Sequence, residues 1–131
     1  MVGDTIGDLI IRLKNAGMAK KKELTVPFSG LRLSILNKLL EVGYIESVHS
    51  EGDLAQNKIL RVVLMYEGDK SRINGVKRLS KPGCRLYAKK SELYPVKFGK
   101  GNMILSTSKG ILTNEEAKKQ GVGGEKLFII W

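Results

Sequence analysis

Apolar residues recur every three to four positions at the start of the chain. Ile6, Leu9, Ile10, Leu13 and Ala16 fall on one helical face, with Asp4 placed to cap the helix and Gly17 to end it. A second stripe, Leu31, Ile35, Leu39 and Val42, follows Ser29 as capping hydroxyl and stops at Gly43, which can turn left-handed. Between the stripes, residues 23–27 read as a short strand. Residues 45–48 and 58–65 read as two more, across a Glu51-Gly52-Asp53 loop. The order helix–strand–helix–strand–strand makes an α/β unit.

The pattern then changes. "YEGDKSRING", residues 66–75, is rich in turn residues and more basic than what precedes it. The expected division lies there: an α/β domain over 1–68 and a mainly β domain over 69–131. In the second part short strands are expected at 76–79, 85–88, 103–105, 110–112 and 127–130. A short helix is expected over 91–96, and another after Thr113, where Thr113-x-x-Glu116 is a capping box and Gly121 a stop. The terminal "LFIIW" reads as a core strand. The fold class is α+β: the N-terminal α/β unit packed against a mostly antiparallel β unit with short helices. No internal repeat or low-complexity segment interrupts it.

Length and composition agree with a globular chain. Its 131 residues suffice for one ordinary domain or two small ones, and 42% are hydrophobic. Charge adds more. The net charge is +10, unevenly spread: about +2 over residues 1–65 and +8 over 66–131. The window 70–109 holds 11 basic residues and one acid, Glu92. A surface of one sign favours a polyanion through steering and counterion release. Nucleic acid suits it better than lipid. No apolar run approaches the about 20 residues of a membrane helix, no signal-peptide pattern opens the chain, and the basic window is broken by Gly, Pro and strands. No membrane partner is expected, and the single cysteine, Cys84, fits a reducing cytoplasm and reads as a small buried hydrophobe.

Catalytic patterns fail one by one. Ser106-Thr107-Ser108-Lys109 matches S-x-x-K, but it lies between apolar pairs with strand character, and the companion motifs of serine β-lactamases are absent. His49 is the only histidine, too few for a triad or a Cys–His metal site. Gly99-Lys100-Gly101 begins a dinucleotide fingerprint that Ile104 breaks, and Gly121, Gly123 and Gly124 fit no phosphate loop. No metal and no cofactor is expected, and the chain does not read as an enzyme.

Two segments suit binding. In "ILSTSKGILT", Ser106, Thr107 and Ser108 offer short hydroxyls that both donate and accept, Lys109 offers a charge for a phosphate, and Gly110 lets backbone approach closely. RNA displays matching groups in its shallow groove and at unstacked bases. An ordinary Ser/Thr-rich hairpin turn is the other reading. In "LSKPGCRLYAKK", Pro82-Gly83 makes a turn flanked by Lys81, Arg85, Lys89 and Lys90. On a strand, Arg85, Tyr87 and Lys89 share a face, an aromatic between two cations. An edge strand kept soluble by charge is the alternative.

"DTIGDLIIRLKNAG", "VPFSGLRLSILNKLLEVGYI", "VKRLSKPGCRLYAKKSEL" and "ILSTSKGILTNEEAKKQGVGGEKLFIIW" together cover nearly the whole chain. They resemble the family of the eighth small-subunit ribosomal protein, bacterial type. The resemblance implies a primary binder of the central domain of 16S ribosomal RNA, needed early in 30S assembly, with two domains gripping one irregular RNA helix. It implies RNA contacts at Ser106, Thr107, Ser108 and Gly110, and around Lys81, Pro82, Gly83 and Tyr87; Lys109, Arg85 and Lys89 join them on the charge and strand-face reading. A turn at Gly123, Gly124 and Glu125 is implied beside the loop, and an N-terminal contact around Lys14, Asn15 and Ser29. It further implies small-subunit proteins five and seventeen as neighbours and, in bacterial relatives, binding to the protein's own operon messenger RNA. The chain departs from the family pattern at Thr5, Ile11 and Met103, none of which removes a hydroxyl.

Overall fold

The structure is a computed structural model that describes residues 4–54, 57–95 and 101–131. Its contacts divide the chain into two compact units, one of residues 8–74 and one of residues 75–131 with the first seven.

Helix α1, Thr5–Met18, opens where Asp4 accepts a hydrogen bond from the Gly7 N–H at 3.2 Å. Leu9, Ile10, Leu13 and Ala16 are buried, and Ile11 is exposed. Gly17 does not end the helix, as its type suggested. A Cβ there would lie 2.8 Å from Ser71 Oγ, so Gly17 admits a distant segment. The stop comes at Lys20, in the left-handed region at φ 56. The Lys20 N–H donates to Gly17 O at 3.2 Å and the Lys21 N–H to Ala16 O at 3.0 Å, satisfying the helix's last carbonyls.

Strand β1, Glu23–Pro27, leads to α2, Gly30–Val42. Ser29 accepts from the Arg32 N–H at 3.0 Å, and Gly43 sits at φ 95, both as expected. The buried face is Ile35, Leu36 and Leu39, whereas Leu31, in the first turn, is 40% exposed. Strands β2, Ile45–Glu51, and β3, Ile59–Leu64, complete an antiparallel sheet of order β1-β3-β2. Leu60, Val62 and Leu64 of β3 point into the core. Arg61 points the other way and pairs with Glu51 on β2 and, at 3.0 Å, Glu23 on β1. These bonds hold the Glu51 carboxyl below its usual range and raise Arg61. The segment expected only to turn forms a hairpin, β4 Tyr66–Glu67 and β5 Lys70–Ser71, around Gly68 at φ 64. The Tyr66 hydroxyl donates to Lys21 O and fixes the lysine loop.

The second unit is an antiparallel sheet of order β6-β10-β8-β9, with β7 also paired to β10. The strands are β6 Val76–Arg78, β7 Tyr87–Ala88, β8 Asn102–Thr107, β9 Gly110–Thr113 and β10 Gly124–Ile130. Helix α3, Asn114–Gln120, carries the expected capping box: Thr113 Oγ1 accepts from the Glu116 N–H, and Glu116 Oε1 from the Thr113 N–H. A core of Ala88, Leu93, Met103, Leu105, Leu112 and Ala117 joins α3 to the sheet. Ile104, Phe128 and Ile130 are buried as well, which is why β8 and β10 read as unbroken apolar runs. Trp131 exchanges two backbone hydrogen bonds with Gly75, and a Cβ on Gly75 would lie 2.5 Å from its ring.

Three expectations are corrected here. The strand at 85–88 is only Tyr87–Ala88, although Leu86 O still accepts from the Lys126 N–H at 2.8 Å. The helix at 91–96 is a single 3-10 turn, Lys90–Glu92, and Val96 lies outside the described residues. Cys84 is exposed at a turn rather than buried. Gly99, Lys97 and Lys100 also lie outside the described residues.

Candidate nucleic-acid interface

Ser106 and Thr107 are strand residues, and Ser108-Lys109 is the two-residue loop between β8 and β9. Neither loop residue has positive φ; that falls on Gly110, at φ 104. Gly110 thus supplies the left-handed residue that closes the hairpin. Thr107 Oγ1 donates to Gly110 O at 2.8 Å and accepts from the Lys109 N–H at 3.1 Å, so its hydroxyl shapes the loop. Ser106 and Ser108 have no hydrogen-bonded side-chain partner among the described residues, and Ser108 and Lys109 are exposed.

The second segment is held by a residue the sequence reading passed over. Ser80 is buried, and its hydroxyl accepts from the Leu86 N–H at 2.9 Å and donates to Leu86 O at 3.2 Å. It pinches the neck of the loop. Lys81 and Cys84 exchange two backbone bonds of 2.9 Å across Pro82-Gly83, a turn with no positive φ. Its only sequence signal is a serine just before K-P-G. Residues 81–87 are exposed as a run, with Tyr87 at 68%, and Lys89 and Lys90 are exposed beyond the buried Ala88. Arg85, Tyr87 and Lys89 are all exposed, but so is Leu86, and only Tyr87–Ala88 is strand, so the expected strand face through 85, 87 and 89 is not formed as a ladder.

Gly123 and Gly124 bring the two segments together. A Cβ on Gly123 would lie 2.3 Å from Ala88 O, and one on Gly124 2.3 Å from Ser106 O. β10 can therefore run close between β7 and β8 only as glycine. Glu125 is directly opposite Tyr87 on one side and Ser106 on the other. Directly opposed residues in antiparallel pairs share a face. Tyr87, Glu125 and Ser106 thus form one row across the sheet. Arg85 Nη1 reaches Glu125 Oε2 at 3.2 Å and Oε1 at 3.5 Å.

Lysine and arginine are used differently. Among the described residues all six arginines are in ion pairs, whereas of the lysines only Lys38 is. Arg78 grips Asp4 through both guanidinium nitrogens at 2.5 Å, and that bond outweighs desolvation in holding the Asp4 carboxyl below its usual range. Lys81, Lys89, Lys90 and Lys109 are left with their charge uncompensated by an ion pair.

Lys14, Asn15 and Ser29 lie in the first unit. Asn15 lines a cleft of about 610 Å³ with Arg12, Lys21 and Arg61, Lys14 is half-buried, and the Ser29 oxygen is occupied as a cap. Ser106 and Lys109 are on a strand and a turn, so they lack the one-turn helical spacing that S-x-x-K chemistry needs. Among the described residues no three of His, Cys, Asp and Glu are grouped to hold a metal ion, and no helix is long and apolar enough to cross a membrane.

In an α+β chain, the exposed hydroxyls and the lysines without an ion pair lie on neighbouring strands and turns of one sheet. The chain is a member of the ribosomal protein S8 family, whose model matches residues 4–131. It is 46% identical over 128 residues to small ribosomal subunit protein uS8 of Mycoplasmopsis synoviae, covering 98% of this chain and 97% of that one. It is 45% identical over 130 residues to uS8 of Ruminiclostridium cellulolyticum, covering 99% and 98%. With protein uS8c of Guillardia theta it shares 44% over 133 residues, the full length of both.

Proposed function

We propose that this chain is a structural constituent of the small ribosomal subunit, that it binds ribosomal RNA, and that it acts as part of the ribosome rather than as an enzyme. The observation that carries the reading is the row Tyr87–Glu125–Ser106 beside the Ser108-Lys109 tip. It combines an exposed aromatic for stacking, unsatisfied hydroxyls for base edges or ribose, and lysines for phosphate. The RNA-binding part lies within residues 69–131, and the RNA is the central domain of the small-subunit molecule. Lys14, Asn15 and Ser29 add a contact from the N-terminal part. Small-subunit proteins five and seventeen are the proposed neighbours, and the operon messenger RNA a second RNA ligand through the same residues.

Sedimentation tests the assignment. Tagged protein expressed in a bacterium should travel with small subunits and withstand a moderate-salt wash. Recovery only at the top of the gradient contradicts it.

A further inference from the structure

Lys20 stands in the left-handed region at φ 56, the only described residue other than glycine with positive φ. A lysine there carries a steric strain that glycine lacks. Such an outlier persists where the surrounding structure over-determines it, and it points to a use for the side chain. Lys20 opens the run Lys20-Lys21-Lys22, and all three residues are exposed. The backbone beneath them is tied down. The N–H groups of Lys20 and Lys21 donate to Gly17 O and Ala16 O, and Lys22 O accepts from the Leu64 N–H at 2.9 Å. Lys21 O accepts from the Tyr66 hydroxyl. Three charges are therefore presented from one pinned backbone.

These charges also lack partners within the chain. In the unit of residues 8–74, Arg12, Arg32, Lys38, Arg61 and Arg72 are in ion pairs, and Lys58 lies over the Phe28 ring at 4.2 Å. Lys20, Lys21 and Lys22 have no ion pair or ring contact among the described residues. Lys20 and Lys22 line a cleft of about 510 Å³ with Glu46 and Asp69, yet neither carboxylate forms an ion pair with them.

We propose that Lys20-Lys21-Lys22 is a phosphate-binding loop, by which the first unit holds the sugar–phosphate backbone of ribosomal RNA apart from the contacts of the second unit. This rests on the RNA reading and adds a separate contact surface to it. The planar fork of arginine matches carboxylates, and here the described arginines are taken by carboxylates of the chain itself. The loop is lysine throughout. An ammonium is a point charge with three donors, suited to phosphate oxygens met at varied angles. Such contacts position RNA and read no sequence.

Lys20→Gly removes the charge and relieves the strain together. Binding of the full chain to a 16S ribosomal RNA transcript is followed across salt concentrations, with stability measured by denaturant titration. Each lysine on a phosphate contributes about 0.9 to the slope of log affinity against log salt, which amounts to about fivefold in affinity at about 0.15 M salt. Lys20→Gly should therefore bind about fivefold more weakly with a flatter slope, while its denaturation midpoint rises. Lys20→Arg keeps the charge and should restore both slope and affinity. Lys21→Ala and Lys22→Ala should each weaken binding by a similar factor and flatten the slope. A merely structural role would move affinity and stability together and leave the slope as it was. Variants that match wild type in slope and affinity overturn the proposal. Unchanged RNA affinity joined to lost co-sedimentation with small subunits also overturns it, and assigns the loop to an acidic protein. A wild type that does not bind the transcript overturns the RNA reading as a whole.

Discussion

Thr107→Val separates the hydroxyl that shapes the loop from those that face outward. Valine keeps the β-branch and the methyl that faces Gly124, so packing is retained and only the oxygen is lost. Two hydrogen bonds go with it, 2.8 Å to Gly110 O and 3.1 Å from the Lys109 N–H. A net hydrogen bond contributes about 0.5–1.5 kcal/mol. Lys109 and Gly110 are exposed, so water replaces both partners and the lower end applies. Together they amount to about 1 kcal/mol. For a chain of this length that is a fall of about 4 °C in the midpoint of thermal unfolding. Amide hydrogen exchange gives a local readout, since the Lys109 amide loses its acceptor and should exchange about fivefold faster. Ser108→Ala is the matched control, because the Ser108 hydroxyl has no hydrogen-bond partner among the described residues and is exposed. It should leave the midpoint and the Lys109 amide unchanged while weakening cognate RNA by about 1–3 kcal/mol. The reverse pattern, with Thr107→Val silent in exchange and Ser108→Ala destabilising, refutes this division of labour.

Three further outcomes follow from local geometry. Lys20→Gly should raise stability by about 0.5–1 kcal/mol in a denaturant titration, because lysine is strained at φ 56; a loss of stability contradicts this. Gly124→Ala should lower stability by about 1–3 kcal/mol and weaken RNA binding, since its Cβ meets the Ser106 carbonyl at 2.3 Å; a variant as stable and as tight-binding as wild type refutes the close approach. Asp4 has a folded pKa below its ordinary 3.8, so its pairing with Arg78 stabilises fully above that value and is lost as pH falls through the folded pKa. Asp4→Asn retains a capping side chain, so the stability gap to wild type should be open at neutral pH and close as pH falls below 3.8 and through the lowered folded pKa; a gap constant with pH rules out the linkage.

Local chemistry was legible in the sequence where a residue acts on its near neighbours. Ser29 and Gly43 bound α2, and Thr113 with Glu116 opens α3, because caps bond three or four residues away. Residues whose partners are distant in sequence were misread or missed. Gly17 looked like a helix stop, but its reason is Ser71. Leu36 lies off the expected stripe and is buried all the same, a choice made by tertiary packing. Cys84 looked like a core residue because cysteine usually is, but the K-P-G turn carries it outward. The hydroxyl loop was found as a motif. That Thr107 turns inward, that Ser80 clamps the other loop and that Glu125 holds Arg85 depend on strand register, which composition does not encode.

The central claim is that the face built from β7, β8 and β10 recognises a particular RNA site rather than charge alone. The most direct measurement is the ratio of affinities for a central-domain fragment and an unrelated duplex of equal length, followed across salt concentrations. Charge-driven binding weakens with salt for both RNAs, whereas hydroxyl and stacking contacts persist for the cognate site. The ratio should therefore exceed about a hundredfold at physiological salt and be maintained or rise as salt increases. A ratio near one at every salt would contradict the account.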